Sequence, residues 1–169
     1  GDVYKRQVLD YCYEHRLPLA MEILDIDFFK QYNDNYGHQQ GDECIIAIAD
    51  ELKKMEDRQT FCARYGGDEF IIIYAGASAE EVYAKAGALR QNIMNLKLEH
   101  LYSKALPIVT ISQGISYGVP EEGNRSWDFL HTADMLLYQV KKKSRNDICI
   151  ADIRGQELDL SSKQEKVEP

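Results

Sequence analysis

The 169-residue sequence lacks a metal-binding cysteine or histidine pattern, an excess of basic residues and a long apolar run. Its four cysteines and four histidines show neither C-x-x-C nor another zinc-like spacing, so we expect reduced thiols in a cytosolic protein. The net charge of −8 argues against nucleic acid or an anionic membrane surface as a partner. No apolar run reaches the roughly 20 residues of a membrane span, and the first residues lack the apolar core of a signal peptide.

Apolar periodicity predicts one α+β domain over residues 17–152, with a mixed sheet and helices packed over it. Residues 1–16 are expected to be a leader and the remnant of a first helix, with no role in the fold for Gly1–Gln7. Residues 153–169 are expected to be a polar, disordered tail. The predicted elements are a strand at 17–27, a helix at 39–55, a hairpin of 60–65 and 69–75, a helix capped by Ser78 and Glu81, a strand at 107–116, a helix at 126–144 and a strand at 147–152.

Four acidic residues flank the first strand and the hairpin. Asp25 and Asp27 lie two apart at the end of the strand, so their side chains point to one face. Asp68 and Glu69 lie at the hairpin turn. If the strand lies beside the hairpin, three or four carboxylates converge, and a cation such as Mg²⁺, Mn²⁺ or Ca²⁺ would stabilise them. A lone D-x-D pair is more often a solvated strand end.

The hairpin turn and the segment after the first strand are candidates for ligand binding. Gly66 and Gly67 permit positive φ and let an anionic ligand approach the backbone. In the polar segment 28–43, Asn33 offers a donor and an acceptor, and Asp42 could accept from an amino and an imino group, which suits guanine. Such residues more often cap turns and helices, so both interpretations stay open.

A basic cluster ends the last predicted helix. Four cations lie within Lys141–Arg145. Together with Lys30 they could hold phosphates, through the forked donors of Arg145 and the point charge of a lysine. A solvated helix end is the alternative.

These segments resemble the GGDEF domain family, the diguanylate cyclases. The resemblance covers residues 17–152 through four blocks in the family's order: LDIDFFKQYNDNYGHQQGD, RYGGDEF, TISQGIS and ADMLLYQVKKKSRN. It implies a palm-like fold with a mixed, mainly antiparallel central sheet flanked by helices. It also implies a bacterial cytoplasmic enzyme that condenses two GTP into cyclic di-GMP and two pyrophosphates as a homodimer, with an upstream sensor domain as a further expectation for the parent protein.

The resemblance also implies residue roles. Asp25 and Asp68 match the metal-binding carboxylates, Ile26 lends a backbone carbonyl, and Glu69 helps hold the metals and supports turnover. The implied cofactor is Mg²⁺ or Mn²⁺, two ions per GTP site, which lower the pKa of the ribose 3′-hydroxyl and stabilise charge on the α-phosphate. The remaining matches contact the nucleotide: Asn33 and Asp42 at guanine, Lys30, Lys141 and Arg145 at the triphosphate, and Gly66 and Gly67 through the backbone.

Two departures from the family pattern leave alternatives open. The product-inhibition motif, Arg-x-x-Asp, is replaced at residues 57–60 by Asp-Arg-Gln-Thr, so we expect no feedback inhibition there. The family's segment before the first strand is also shortened. A catalytically inactive module that binds GTP or a protein partner is therefore the alternative, and a synthase of another cyclic nucleotide is a third.

Overall fold

The computed structural model describes residues 1–158 and 160, and these residues form five helices and five strands. The predicted helix cap is confirmed, since the Ser78 hydroxyl accepts from the Glu81 backbone N–H at 3.1 Å. The elements in chain order are α1 (Asp2–His15), β1 (Leu19–Ile26), α2 (Phe29–Tyr36), α3 (His38–Lys53), β2 (Thr60–Gly66), β3 (Glu69–Ala75), α4 (Ala79–Asn95), β4 (Ile111–Gly118), α5 (Ser126–Lys143) and β5 (Ile148–Asp152).

The strands form one sheet in the order β2-β3-β1-β4-β5. β1 is antiparallel to both of its neighbours, β2 and β3 form the predicted hairpin, and β4 and β5 are parallel. The predicted α+β class with a mixed, mainly antiparallel sheet is therefore confirmed. Because β1 lies beside β3, its C-terminal end meets the hairpin turn, and Asp25 lies opposite Glu69.

Different helices cover the two faces of the sheet. All eight residues of β1 are buried, and their side chains alternate between the faces. Ala20 and Leu24 pack with α3 and α4, whereas Met21 and Ile23 pack with α1 and α5. This alternation places Asp25 on the α5 face, below the last turn of that helix.

A buried carboxylate interrupts the apolar run of β1. Glu22 is fully buried; the Tyr74 hydroxyl donates to its Oε1 at 2.7 Å, and the Gln113 amide donates to its Oε2 at 2.8 Å. The same amide donates to the Ala86 carbonyl at 3.1 Å. Burial raises the pKa of Glu22 to about 7, and the two hydrogen bonds oppose the shift. The sequence pattern gave no sign of this network, because Glu22 lies within an otherwise apolar strand.

Gly114 in β4 allows α5 to lie directly on the sheet. A Cβ built at Gly114 would lie 2.3 Å from the Ala133 carbonyl oxygen and 2.4 Å from the Leu137 backbone nitrogen. Both atoms belong to the backbone of α5, so any side chain at this position would push the helix away. The close approach of α5 brings Lys141, in the last turn of this helix, to Asp25 at the end of β1.

The boundaries of the domain differ from the prediction at both ends. Residues 2–7, for which the sequence predicts no role in the fold, form the first half of α1. Tyr4 packs on Phe61 with ring centroids 4.3 Å apart. After β5, the Leu158 N–H donates to the Ile150 carbonyl at 3.0 Å, and Leu160 is buried in the core, so the chain folds back beyond residue 152. The rest of the predicted tail, residues 159 and 161–169, lies outside the described residues.

In the described part of the chain all four cysteines are free thiols, and three of them are buried. No helix within residues 1–158 and 160 is long and apolar enough to cross a membrane.

Candidate active site

Asp25 lies at the end of β1 in a largely buried position. The Lys141 ammonium of α5 contacts its Oδ2. Burial raises the pKa of Asp25 to about 7; Lys141 opposes this shift, and the negative charge of Asp68 adds to it. Burial also raises the pKa of the half-buried Glu69 across the strand pair. The end of β1 therefore holds carboxylates that a nearby cation would keep ionised.

The hairpin turn brings Asp68 to the end of β1. The Ile26 N–H donates to the Asp68 carbonyl at 3.3 Å. Gly67 adopts φ of +53°, which favours glycine, and its carbonyl accepts from two nitrogens of the Arg64 guanidinium at 2.7 and 3.0 Å. A Cβ at Gly66 or Gly67 would meet no atom within 4 Å, so the backbone of the turn is open to an approaching ligand.

An open pocket of about 440 Å³ lies between α2, α3 and the hairpin turn. Four of the predicted nucleotide residues line it together with Asp68. The pocket lining carries both positive and negative side chains. Lys30 pairs with Asp34 at 3.0 Å, and both side chains are exposed. The lining residues are Phe29, Lys30, Asn33, Asp34, His38, Asp42, Ile45, Arg64, Gly67 and Asp68.

Asp27 does not join the acidic group, so of the three or four carboxylates predicted to converge only Asp25, Asp68 and Glu69 remain as candidates. It is fully buried; the Thr110 hydroxyl donates to its Oδ2 at 2.7 Å and the Ser112 hydroxyl to its Oδ1 at 2.5 Å. The Asn146 backbone N–H also donates to Oδ2, at 3.0 Å. These bonds tie β1, β4 and the segment after α5 together. Thr110 and Ser112 are two apart in a β-branched run, and this spacing indicates that their side chains share one face of a strand.

The turn after Asp27 is held by His100, which the sequence did not predict, and by Arg145, which is predicted at the triphosphate. Phe28 adopts φ of +54°, and buried His100 lies with Nε2 2.9 Å from its carbonyl oxygen. The Arg145 guanidinium stacks over the Phe28 ring at 4.0 Å and lies 3.7 Å from an oxygen of Asp27. Arg145, predicted at the triphosphate, thus lies at the turn between β1 and α2. His100 had no local sequence signal.

The donors at the end of β1 fit a divalent cation completed by a ligand's phosphates. Asp25 Oδ1 is buried and accepts no hydrogen bond from a described residue. Within residues 1–158 and 160, no three or more His, Cys, Asp or Glu side chains are arranged to hold a metal ion. Mg²⁺ is commonly bound through one or two carboxylates plus substrate phosphates. Asp25 and Asp68, with the Ile26 carbonyl, fit that smaller set.

A mixed sheet with acids at its central strand and hairpin, beside a polar pocket, defines a palm-like α+β domain. The family model described as "Diguanylate cyclase, GGDEF domain" matches residues 4–147, and the chain belongs to this family. It is 35% identical over 144 residues to the probable diguanylate cyclase DgcC of Escherichia coli K12, covering 83% of this chain and 37% of that protein. The chain thus spans little more than a third of this curated relative.

Solved structures show the same fold. The coiled coil and GGDEF domain of DgcB from Caulobacter crescentus, in complex with c-di-GMP, superimposes with a TM-score of 0.79 at 28% identity, covering 89% of this chain and 78% of that one. The active GGEEF domain of a diguanylate cyclase from Vibrio cholerae superimposes with a TM-score of 0.75 at 29% identity, covering 88% and 92%. The palm-like fold predicted from the four sequence blocks is confirmed.

Proposed function

We propose that this chain is a diguanylate cyclase domain that condenses two GTP into cyclic di-GMP and two pyrophosphates, with divalent metal ions and as a homodimer. One observation carries the proposal. The pocket brings Asp68 of the hairpin turn together with Lys30, Asn33 and Asp42 of α2 and α3, at the end of the strand that bears buried Asp25. Family membership supports the same reaction.

The pocket side chains suit a guanine nucleotide. The Asn33 amide and the Asp42 carboxylate lie on consecutive helices around one pocket and together accept from the N–H donors on one edge of guanine. The Lys30–Asp34 pair is exposed, with the lysine side chain 82% accessible. Such surface pairs contribute about 0–1 kcal/mol, so Lys30 is free to move to a phosphate.

The end of β1 suits metal-assisted phosphoryl transfer. Asp25 and Asp68, with the Ile26 carbonyl and the phosphates of the nucleotide, would hold the ions, and the neighbouring Glu69 would support turnover. The ions supply Lewis-acid stabilisation of the α-phosphate when bound. Lys141 contacts Asp25 and Arg145 lies 3.7 Å from Asp27, so both cations are close to the end of β1, where they would contact the triphosphate once it is bound.

The reaction requires two copies of the site. Each 3′-hydroxyl loses a proton and forms a bond to the α-phosphorus of the other GTP, while the bond from that phosphorus to the β-phosphate bridge breaks and pyrophosphate leaves. The pocket between α2, α3 and the hairpin turn would hold one GTP, so two domains related by a two-fold axis would supply both nucleotides.

The test is incubation of the chain with GTP and Mg²⁺ or Mn²⁺, with nucleotides identified by mass. We expect cyclic di-GMP from the natural sequence and none from Asp68→Ala. Asp50→Ala is the matched control, because Asp50 is an exposed aspartate of α3 that does not line the pocket. Equal product from Asp68→Ala and the control would refute the role of Asp68.

An inactive regulatory module would behave differently. It would bind GTP and leave it intact even when a dimerising helix is fused to the N-terminus to bring two copies together. Turnover that appears only after this fusion would support the cyclase and its need for a dimer.

A further inference from the structure

Gly41 lies buried in α3, next to the pocket residue Asp42, and its local conformation does not require glycine. Its N–H donates to the Gly37 carbonyl at 3.0 Å, as in an ordinary helical turn, and its φ is not positive. Glycine inside a helix costs about 0.5–1 kcal/mol relative to alanine. A glycine at this position therefore has a packing reason.

The packing partner of Gly41 is the Asn33 side chain. A Cβ built at Gly41 would lie 1.8 Å from Asn33 Oδ1 and 2.9 Å from Asn33 Cγ. The nearest other atom is Phe29 Cζ at 3.4 Å, which is a tight but tolerable contact. An added methyl group would thus turn the Asn33 amide aside, and because this amide ends a flexible side chain, the backbone need not move.

The Asn33 amide oxygen lacks a hydrogen-bond donor among the described residues. This oxygen, Oδ1, is also buried. A buried acceptor without a partner costs about 1–3 kcal/mol. Since Asn33 lines the pocket, a donor on a bound ligand would satisfy this oxygen.

We infer that Gly41 is a specificity-determining positioning residue: it leaves room for the Asn33 amide to accept from the exocyclic amine of guanine. This inference rests on the proposed function. The next residue, Asp42, lines the same pocket, so one turn of α3 both orients the Asn33 acceptor and supplies a carboxylate acceptor.

The test compares binding of 3′-deoxy-GTP and 3′-deoxy-ITP in Mg²⁺; both lack the attacking hydroxyl, and only the inosine analogue lacks the exocyclic amine. In Gly41→Ala we expect 3′-deoxy-GTP to bind about 3- to 10-fold more weakly, the range for one hydrogen bond. Binding of 3′-deoxy-ITP should change little. The ratio of the two affinities should therefore fall in the variant.

A double-mutant cycle separates positioning from a general packing effect. Asn33→Ala removes the amide that the new methyl group would displace, so adding Gly41→Ala to it should cause no further loss of selectivity. The double variant also stays informative if Gly41→Ala alone folds poorly. Gly87→Ala is the matched control, because a Cβ at this glycine of α4 meets no atom within 4 Å.

The outcomes distinguish a failure of the role inferred for Gly41 from a failure of the proposed guanine recognition. Selectivity retained in Gly41→Ala with an unchanged melting temperature would overturn the role of Gly41 alone. Equal loss of selectivity from Gly41→Ala with and without Asn33 would also overturn it. A natural sequence that binds both analogues equally would overturn guanine recognition itself, and with it this inference.

Discussion

Replacement of Glu22 by glutamine should stabilise the domain above neutral pH and change its stability little near pH 4.5. Burial raises the pKa of Glu22 from 4.5 to about 7. Between these values the folded state holds a proton that the unfolded state releases, so stability falls as the pH rises and levels off above the folded pKa. At about 1.4 kcal/mol per pKa unit, the loss amounts to roughly 3 kcal/mol.

Glutamine reproduces the protonated carboxyl. Its oxygen can accept from Gln113 and its amide can donate to the Tyr74 hydroxyl oxygen, in the positions that the carboxyl oxygens of Glu22 hold. For a domain of this size, roughly 3 kcal/mol corresponds to a gain of roughly 6–12 °C in melting temperature at about pH 8.

The assay is urea unfolding of both proteins from about pH 4.5 to pH 8. The comparison between proteins matters, because burial also raises the pKa of Asp25 to about 7 and adds a slope of the same sign to both. Glu14→Gln, at an exposed position of α1, should keep the dependence of the natural sequence. A stability difference between Glu22→Gln and the natural sequence that does not vary with pH would refute the reasoning.

Two substitutions and one inhibition assay probe the fold and the site. Gly114→Ala should destabilise by about 1–3 kcal/mol or more in urea unfolding, since its methyl group meets the α5 backbone, whereas Gly87→Ala should not; equal effects would contradict this packing. Ser112→Ala should cost about 1–3 kcal/mol, because it removes one of the donors to buried Asp27, and unchanged stability would show that this bond contributes little. Micromolar cyclic di-GMP should not inhibit turnover through residues 57–60; inhibition that Arg58→Ala abolishes would contradict this.

Local sequence patterns predicted the helices and strands well because caps and tight turns depend on residues that are close together in the sequence. The capping box at Ser78 begins α4 as predicted, and the paired strands around Gly66 and Gly67 form the predicted hairpin. Prediction failed where a side chain forms a hydrogen bond with a residue that is distant in the sequence. The Thr110–Asp27 bond spans 83 residues, and the His100–Phe28 contact spans 72.

The site was predictable in composition but not in arrangement. Asn33, Asp42 and Asp68 do line one pocket, yet nothing in the spacing of D-x-D showed that Asp27 would turn to Ser112 while Asp25 faces Lys141. Strand alternation places both acids on one face and leaves their partners to be set by β4 and α5.

The most direct test of the proposed reaction is the ratio of pyrophosphate to cyclic di-GMP formed from GTP, measured over a range of protein concentrations. We expect two pyrophosphates per cyclic di-GMP and a rate per copy that rises with concentration as dimers form. Release of inorganic phosphate with GDP, or of pyrophosphate without cyclic di-GMP, would contradict the proposed reaction. A rate per copy that is independent of concentration in a chain that remains monomeric would contradict the need for two domains.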